Sequence, residues 1–214
     1  MGAKAQVQDW PNLSKYRDEN ATLQPVAMNQ KRIVFMGDSI TEFWSAADAD
    51  YFTGKSYINR GISGQTTPQM LIRFRADVID LKPVAVVILA GINDIAGNTG
   101  PATLDMIANN IFSMAELAAA NQIKVVLCSV LPASDFPWNP NTKPAEKIIE
   151  LNTMIKNYAD RKGILYLDYF SSMKEERNGL KAVYSGDGVH PNKKGYQIMA
   201  KLAEKAINQV LATK

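Results

Sequence analysis

The chain has 214 residues, 46% of them hydrophobic, which is enough length and apolar content for one sizeable core. Its 24 basic and 21 acidic residues leave a net charge of +3, with no long basic run and no basic stripe interleaved with aromatics, so no nucleic-acid partner is expected. No apolar stretch reaches the length of a membrane span, and a single cysteine, Cys128, excludes an internal disulfide.

The N-terminus "MGAKAQVQDW" has no apolar h-region. Met1-Gly2 read as a cloning remnant, and Ala3-Lys4-Ala5 before Gln6 carries the small-x-small pattern of a signal-peptidase site. The expectation is an exported protein, periplasmic or secreted and trimmed from a precursor; a cytoplasmic protein is the alternative. One domain spanning 1–214 is expected, with residues 1–30 an extension and helix packed on it. That helix is predicted over Asn12–Gln24, with Leu13, Tyr16, Asn20 and Leu23 on one face.

Arg32 to Met36 is a short apolar run ending at Gly37, which suits a buried strand. Tyr57 to Asn59 is a shorter strand. "TTPQM" then opens a helix, with Thr67 as N-cap, Pro68 at the first helical position, and Leu71, Phe74, Val78 and Leu81 on its inner stripe. Lys82-Pro83 stops it. "VAVVILAG" (84–91) is apolar throughout, as in a strand of a parallel sheet covered on both faces. The next helix starts at "TGPATL" and carries Leu104, Ile107, Ile111, Met114 and Leu117. "IKVVLCSV" is another buried strand, with Cys128 a small apolar residue in it. A Pro-rich loop leads to a helix with Ile148, Leu151, Ile155 and Tyr158 inward. "ILYLD" (164–168) is the last strand, and a polar loop runs from it to Pro191. The final helix buries Tyr196, Met199, Ala203, Ile207 and Val210. Five strands alternating with helices define an α/β fold around a central parallel sheet.

Ligands of such sheets bind beyond the carboxyl ends of the strands. The residues there are Gly37-Asp38-Ser39, then Gly61, Ser63 and Gly64, then Gly91-Ile92-Asn93-Asp94, then a loop with Asp135 and Trp138, and finally "SGDGVHP". Ser39 has two readings: Asp38 and Ser39 cap the next helix, or Ser39 is a nucleophile. His190 is the only histidine, so serine chemistry that needs an imidazole base must use it. Asp187, three residues earlier, can accept from one ring nitrogen and fix the tautomer. The Ser39 N–H, the Gly64 N–H and the Asn93 amide are candidate oxyanion donors. Competing structural readings stand beside these. Gly61 and Gly64 can serve only a turn with φ > 0. Asn93 and Asp94 can form only an Asx-turn. Asp38 reads as a tie within its turn.

Four blocks, "GDSI" (37–40), "GISG" (61–64), "GIND" (91–94) and "DGVHP" (187–191), resemble in identity and order the SGNH hydrolases, or GDSL esterase/lipase family. "FPWNP" resembles its bacterial platelet-activating-factor-acetylhydrolase-like members. The resemblance implies a flavodoxin-like three-layer α/β/α sandwich with a five-stranded parallel sheet. It implies a serine ester hydrolase without metal or organic cofactor. Ser39 is then the nucleophile, His190 the base and Asp187 its orienting acid, with Ser39, Gly64 and Asn93 forming the oxyanion hole. Phe43 stands where related "GDSITEGW" sequences carry glycine and narrows the mouth of the site. Trp138 has three readings: it stacks on a sugar ring, lines an acyl slot, or only packs its loop onto the domain.

The expected substrate is a small-molecule or glycan ester with a short acyl group, acetyl on a carbohydrate or small alcohol. Alternatives are a lysophospholipase- or thioesterase-type acyl hydrolase and a non-catalytic carbohydrate- or lipid-binding module on the same fold. A metal-dependent phosphoesterase built on Asp38, Asn93, Asp94 and Asp187 is disfavoured by the single histidine. Hydrolase and acyltransferase share the acyl-enzyme and are not distinguished, and the sequence does not reveal the oligomeric state.

Overall fold

A computed structural model describes residues 9–27, 30–140 and 142–213. The signal-peptidase-like pattern at residues 3–6 lies outside them.

Five parallel strands form one sheet: β1 (Ile33–Gly37), β2 (Tyr57–Gly61), β3 (Ala85–Leu89), β4 (Lys124–Cys128) and β5 (Leu165–Leu167). Their order is β2-β1-β3-β4-β5. This is the flavodoxin-like order, which reverses direction between β1 and β3. Every residue of β1 and β3 is buried, because helices cover both faces.

The helices are α1 (Arg17–Thr22), α2 (Ser39–Ala47), α3 (Thr67–Asp77), α4 (Ile92–Ile95), α5 (Leu104–Ala120), α6 (Pro144–Lys162), α7 (Tyr169–Met173) and α8 (Lys193–Ala212). α3, α5 and α6 pack together on one face; α2, α7 and α8 lie on the other. The apolar stripes expected for α6 and α8 are the buried ones. Under α2, Phe35 meets Trp44 edge-on at 5.6 Å and Trp44 stacks on Tyr51 at 4.9 Å. Cys128 is buried, which pushes its thiol up, as for an inert core residue.

Several boundaries differ from the sequence expectation. The helix predicted over Asn12–Gln24 shrinks to the six residues of α1. Upstream, the Asp9 carboxylate takes the N–H groups of Leu13 and Ser14 at 2.8 Å each, and Asn12 adopts φ 56°, so turns replace the first half of the helix. The N-cap of α3 is Thr66, not Thr67, and Pro68 falls one position later. Gln69 closes a capping box with Thr66. Apolar periodicity runs on past the end of α3 at Asp77, but Ile79–Leu81 form a 3-10 turn that presents the same buried side. α5 begins after Thr103, whose hydroxyl caps Met106 N–H, rather than at Pro101. The loop before Pro191 contains α7 and a 3-10 turn at Ala182–Tyr184. No helix of the described residues is long and apolar enough to cross a membrane.

Candidate active site

β1 and β3 are neighbours, with Gly37 opposite Leu89. The chain after β1 enters α2 at Ser39, and the chain after β3 enters α4, which holds Asn93. Both side chains therefore sit at the point where the strand order reverses. Asp38 is the N-cap of α2 and accepts from Ile40 N–H at 2.9 Å, so it ties the turn as expected.

Ser39 Oγ lies 3.0 Å from His190 Nε2. His190 Nδ1 lies 2.6 Å from Asp187 Oδ2. The other carboxylate oxygen, Oδ1, accepts from the N–H of Val189 at 2.9 Å and of His190 at 2.8 Å. Burial raises the Asp187 carboxyl, but hydrogen bonds from the His190 ring and from the Val189 and His190 amides outweigh it and hold it at about 2. An ionised carboxylate only accepts, so the proton of neutral His190 belongs on Nδ1. Nε2 is then left as an acceptor facing Ser39. Ser185 braces the loop: its Oγ accepts from Gly188 N–H at 2.9 Å and lies 2.8 Å from the His190 carbonyl.

The neighbouring strand ends supply a set of donors. Ser39 N–H, in the first turn of α2, has no intrahelical acceptor. Gly64 N–H donates to no protein acceptor among the described residues. One N–H of the Asn93 amide donates to the Gln65 carbonyl at 3.0 Å, leaving the second for a ligand. Asn98 Nδ2 donates to Asn93 Oδ1 at 3.0 Å and to the Gly64 carbonyl at 3.2 Å. These bonds draw the Gly64–Gln65 segment to Asn93.

The two glycines of that loop differ. Gly64 has φ +76°, and a Cβ there would meet only Asn98 Nδ2 at 3.9 Å, an ordinary contact, so its conformation rather than its space demands glycine. Gly61 has no positive φ, which corrects its reading as a turn residue. A Cβ there would lie 2.1 Å from Glu42 N, so its bare backbone lets β2 end against α2. Asp94 is not engaged in a local Asx-turn alone. Its Oδ1 accepts from Thr67 Oγ1 at 2.6 Å and from Thr67 N–H at 3.0 Å, joining α4 to α3. Burial raises its carboxyl against those bonds.

Phe43 and Trp138 both approach the imidazole, with ring centroids 5.6 and 6.1 Å from that of His190. Sequence reasoning missed three residues. Asn98 sits in a "GNTG" turn that reads as loop. Ser185 precedes the Asp187 block. Arg73 is a fully buried arginine on α3 that donates to the Gly37 and Arg60 carbonyls at 3.0 and 2.9 Å. A cavity of about 810 Å³ lies along β2 and α1 and is lined by neither Ser39 nor His190. Ser39 and Asn93 are buried, whereas Phe43 and Trp138 are exposed. Among the described residues, no group of three or more His, Cys, Asp or Glu is placed to hold a metal ion.

The chain belongs to the GDSL-like lipase/acylhydrolase family, whose model matches residues 35–198. No curated protein matches it. Among solved structures, it is 50% identical to an acylhydrolase candidate from Bacteroides fragilis, with TM-score 0.93 over 95% of this chain and 99% of that one. It is 49% identical to a GDSL-like lipase from Bacteroides thetaiotaomicron, with TM-score 0.91 over 93% of this chain and 98% of that one. An acetylxylan esterase from Geobacillus stearothermophilus shares the fold, at 20% identity and TM-score 0.65 over 83% of this chain and 94% of that one.

Proposed function

We propose that the protein is a serine esterase that removes short acyl groups, acetyl foremost, from carbohydrates or small alcohols. The observation that carries this reading is the unbroken relay Ser39 Oγ–His190 Nε2 and His190 Nδ1–Asp187 Oδ2, at 3.0 and 2.6 Å. Ser39 Oγ attacks the ester carbonyl carbon as its proton passes to His190 Nε2. The carbonyl oxygen becomes an oxyanion held by the N–H groups of Ser39 and Gly64 and by Asn93 Nδ2. The imidazolium then protonates the ester oxygen, the carbon–oxygen bond breaks, and the alcohol leaves. Water, deprotonated by His190, attacks the acyl-enzyme. The same proton returns to Ser39 Oγ as the carboxylic acid departs.

The loop "ASDFPWNPN" (133–141), polar apart from Phe136 and Trp138, favours a short acyl group, since a long chain calls for apolar surroundings. That an acetylxylan esterase is built on the same fold supports the choice of acetyl. Export, suggested by the pattern at Ala3-Lys4-Ala5, belongs to the same reading and is tested by fractionating the native host. The test of function is hydrolysis of p-nitrophenyl esters from acetate to decanoate by wild type and Ser39→Ala. Turnover that falls with chain length and vanishes in the variant is expected. Turnover that rises with chain length moves the reading to a lysophospholipase-type hydrolase. Turnover indifferent to Ser39 leaves a binding module.

A further inference from the structure

We propose that Phe43 and Trp138 form the subsite for the leaving alcohol, and that the group they hold is a sugar ring. This inference rests on the esterase reading above and assigns a direction to it. In the tetrahedral intermediate the carbonyl oxygen points to Ser39 N–H, Gly64 N–H and Asn93. The ester oxygen must come within hydrogen-bond reach of His190 Nε2 to take its proton. Whatever that oxygen carries therefore extends past the imidazole, and the acyl group takes the remaining direction. The residues that flank the imidazole line the alcohol side.

Those residues are the two aromatics. Phe43 lies four positions after Ser39 on α2, so the two side chains share one helix face. Its ring centroid is 5.6 Å from that of His190, with planes tilted by 47°. Trp138 reaches the ring from the β4–α6 loop, at 6.1 Å and 37°. They leave 44% and 46% of their surface exposed, so both rings are open to a ligand. Trp138 is held in place. It stacks at 5.2 Å on Phe136, which is fully buried. The next residue, Asn139, donates from Nδ2 to the Ala96 carbonyl at 2.8 Å and from its backbone N–H to the Phe136 carbonyl at 3.0 Å. A platform fixed before binding loses little entropy when it is covered.

The chemistry selects the ligand. A pyranose ring presents C–H groups on its faces and hydroxyls at its edge. It can lie on a flat aromatic surface while its hydroxyls stay in water. An aliphatic alcohol gains most from an enclosed slot, and these two rings stand in the open.

The test compares ratios of kcat/KM within one preparation, so that any loss of folded enzyme cancels. A monoacetylated methyl xyloside against ethyl acetate varies the alcohol, and ethyl acetate against ethyl hexanoate varies the acyl group. Octyl acetate supplies an apolar alcohol. Single aromatic contacts of this kind predict that the sugar-to-ethyl ratio falls about threefold in Phe43→Ala and in Trp138→Ala, and about tenfold in the double variant. Trp138→Phe should retain most of the preference, and the acyl ratio should move by less than about twofold. A shift in the acyl ratio instead, an equal loss on sugar and ethyl esters, or a loss on octyl acetate as large as on the sugar overturns the proposal. Wild type inactive on every ester, or activity that survives Ser39→Ala, removes the esterase reading and this inference with it.

Discussion

Asn98 donates from its side-chain amide to Asn93 Oδ1 at 3.0 Å. That bond and the one from Asn93 Nδ2 to the Gln65 carbonyl, also 3.0 Å, together fix which way the Asn93 amide faces. Asn98→Ala leaves the Gln65 carbonyl alone to hold the amide and should lower kcat about tenfold with little change in KM, less than the roughly 100- to 1000-fold cost of losing an oxyanion donor outright. Asn98→Asp should be worse than alanine, because a carboxylate would face Asn93 Oδ1 and sit beside the developing negative charge. Steady-state kinetics of the two variants check the order, and a variant that raises KM alone would show that Asn98 contacts substrate.

The relay makes a prediction about acid. Asp187 is held at about 2 by the His190 ring and two backbone amides, against the opposing effect of burial. Its folded value lies below the roughly 3.9 of an unfolded aspartate. It therefore stabilises the fold above about pH 4, a contribution lost as pH falls through about 2. Asp187 stays ionised above about pH 2, so an acid limb set by a single base should give log kcat/KM a slope near one against pH. A slope near two would mean that a second group must be ionised for activity. Asp187→Asn cannot hold the tautomer and should cost about ten-thousand-fold in kcat.

Asp38 behaves in the opposite sense. Burial raises its carboxyl to about 7, opposed by the Ile40 N–H and the charge of His190 and reinforced by Asp94. As pH rises from about 4 to about 7, the unfolded chain releases this proton before the folded one does, so stability declines across that window. In Asp38→Asn the side-chain amide oxygen can still accept from Ile40 N–H, which keeps the cap. The variant should match wild type near pH 4 and be the more stable at pH 7.5. Urea unfolding at the two pH values measures the difference. A variant less stable at both would show that the cap needs the carboxylate.

The sequence displays the sheet plainly because β1, β3 and β4 are apolar runs. Ser39, Asp187 and His190 are legible because each sits in a short block of glycine and polar residues, the first directly after β1 and the other two just before α8. What is not legible is contact between distant side chains. Asn98 acts on residues 93 and 64, and no local pattern separates it from any other turn asparagine. Phe43 and Trp138 meet His190 across 147 and 52 positions, so only the fold brings them together. The Asn12–Gln24 helix fails because its periodicity ignores Asp9, whose carboxylate takes the amides of Leu13 and Ser14.

Arg73 is the clearest hidden element. Its guanidinium, fully buried, donates to Gln65 Oε1 at 2.6 Å, Asp77 Oδ2 at 2.9 Å, and the Gly37 and Arg60 carbonyls. One side chain thus joins the ends of β1 and β2 to the loop that carries Gly64. Arg73→Met leaves Asp77 buried without its cation and should cost about 3–5 kcal/mol of stability. Adding Asp77→Leu removes the stranded charge and should recover much of that loss. It should not recover kcat, because the ties to Gly37 and Gln65 are still absent and the Gly64 loop is no longer joined to the end of β1. Urea unfolding and kcat of the single and double variants separate the two effects. If kcat returned together with stability, the guanidinium would be a fold element alone and the placement of Gly64 would have to come from Asn98.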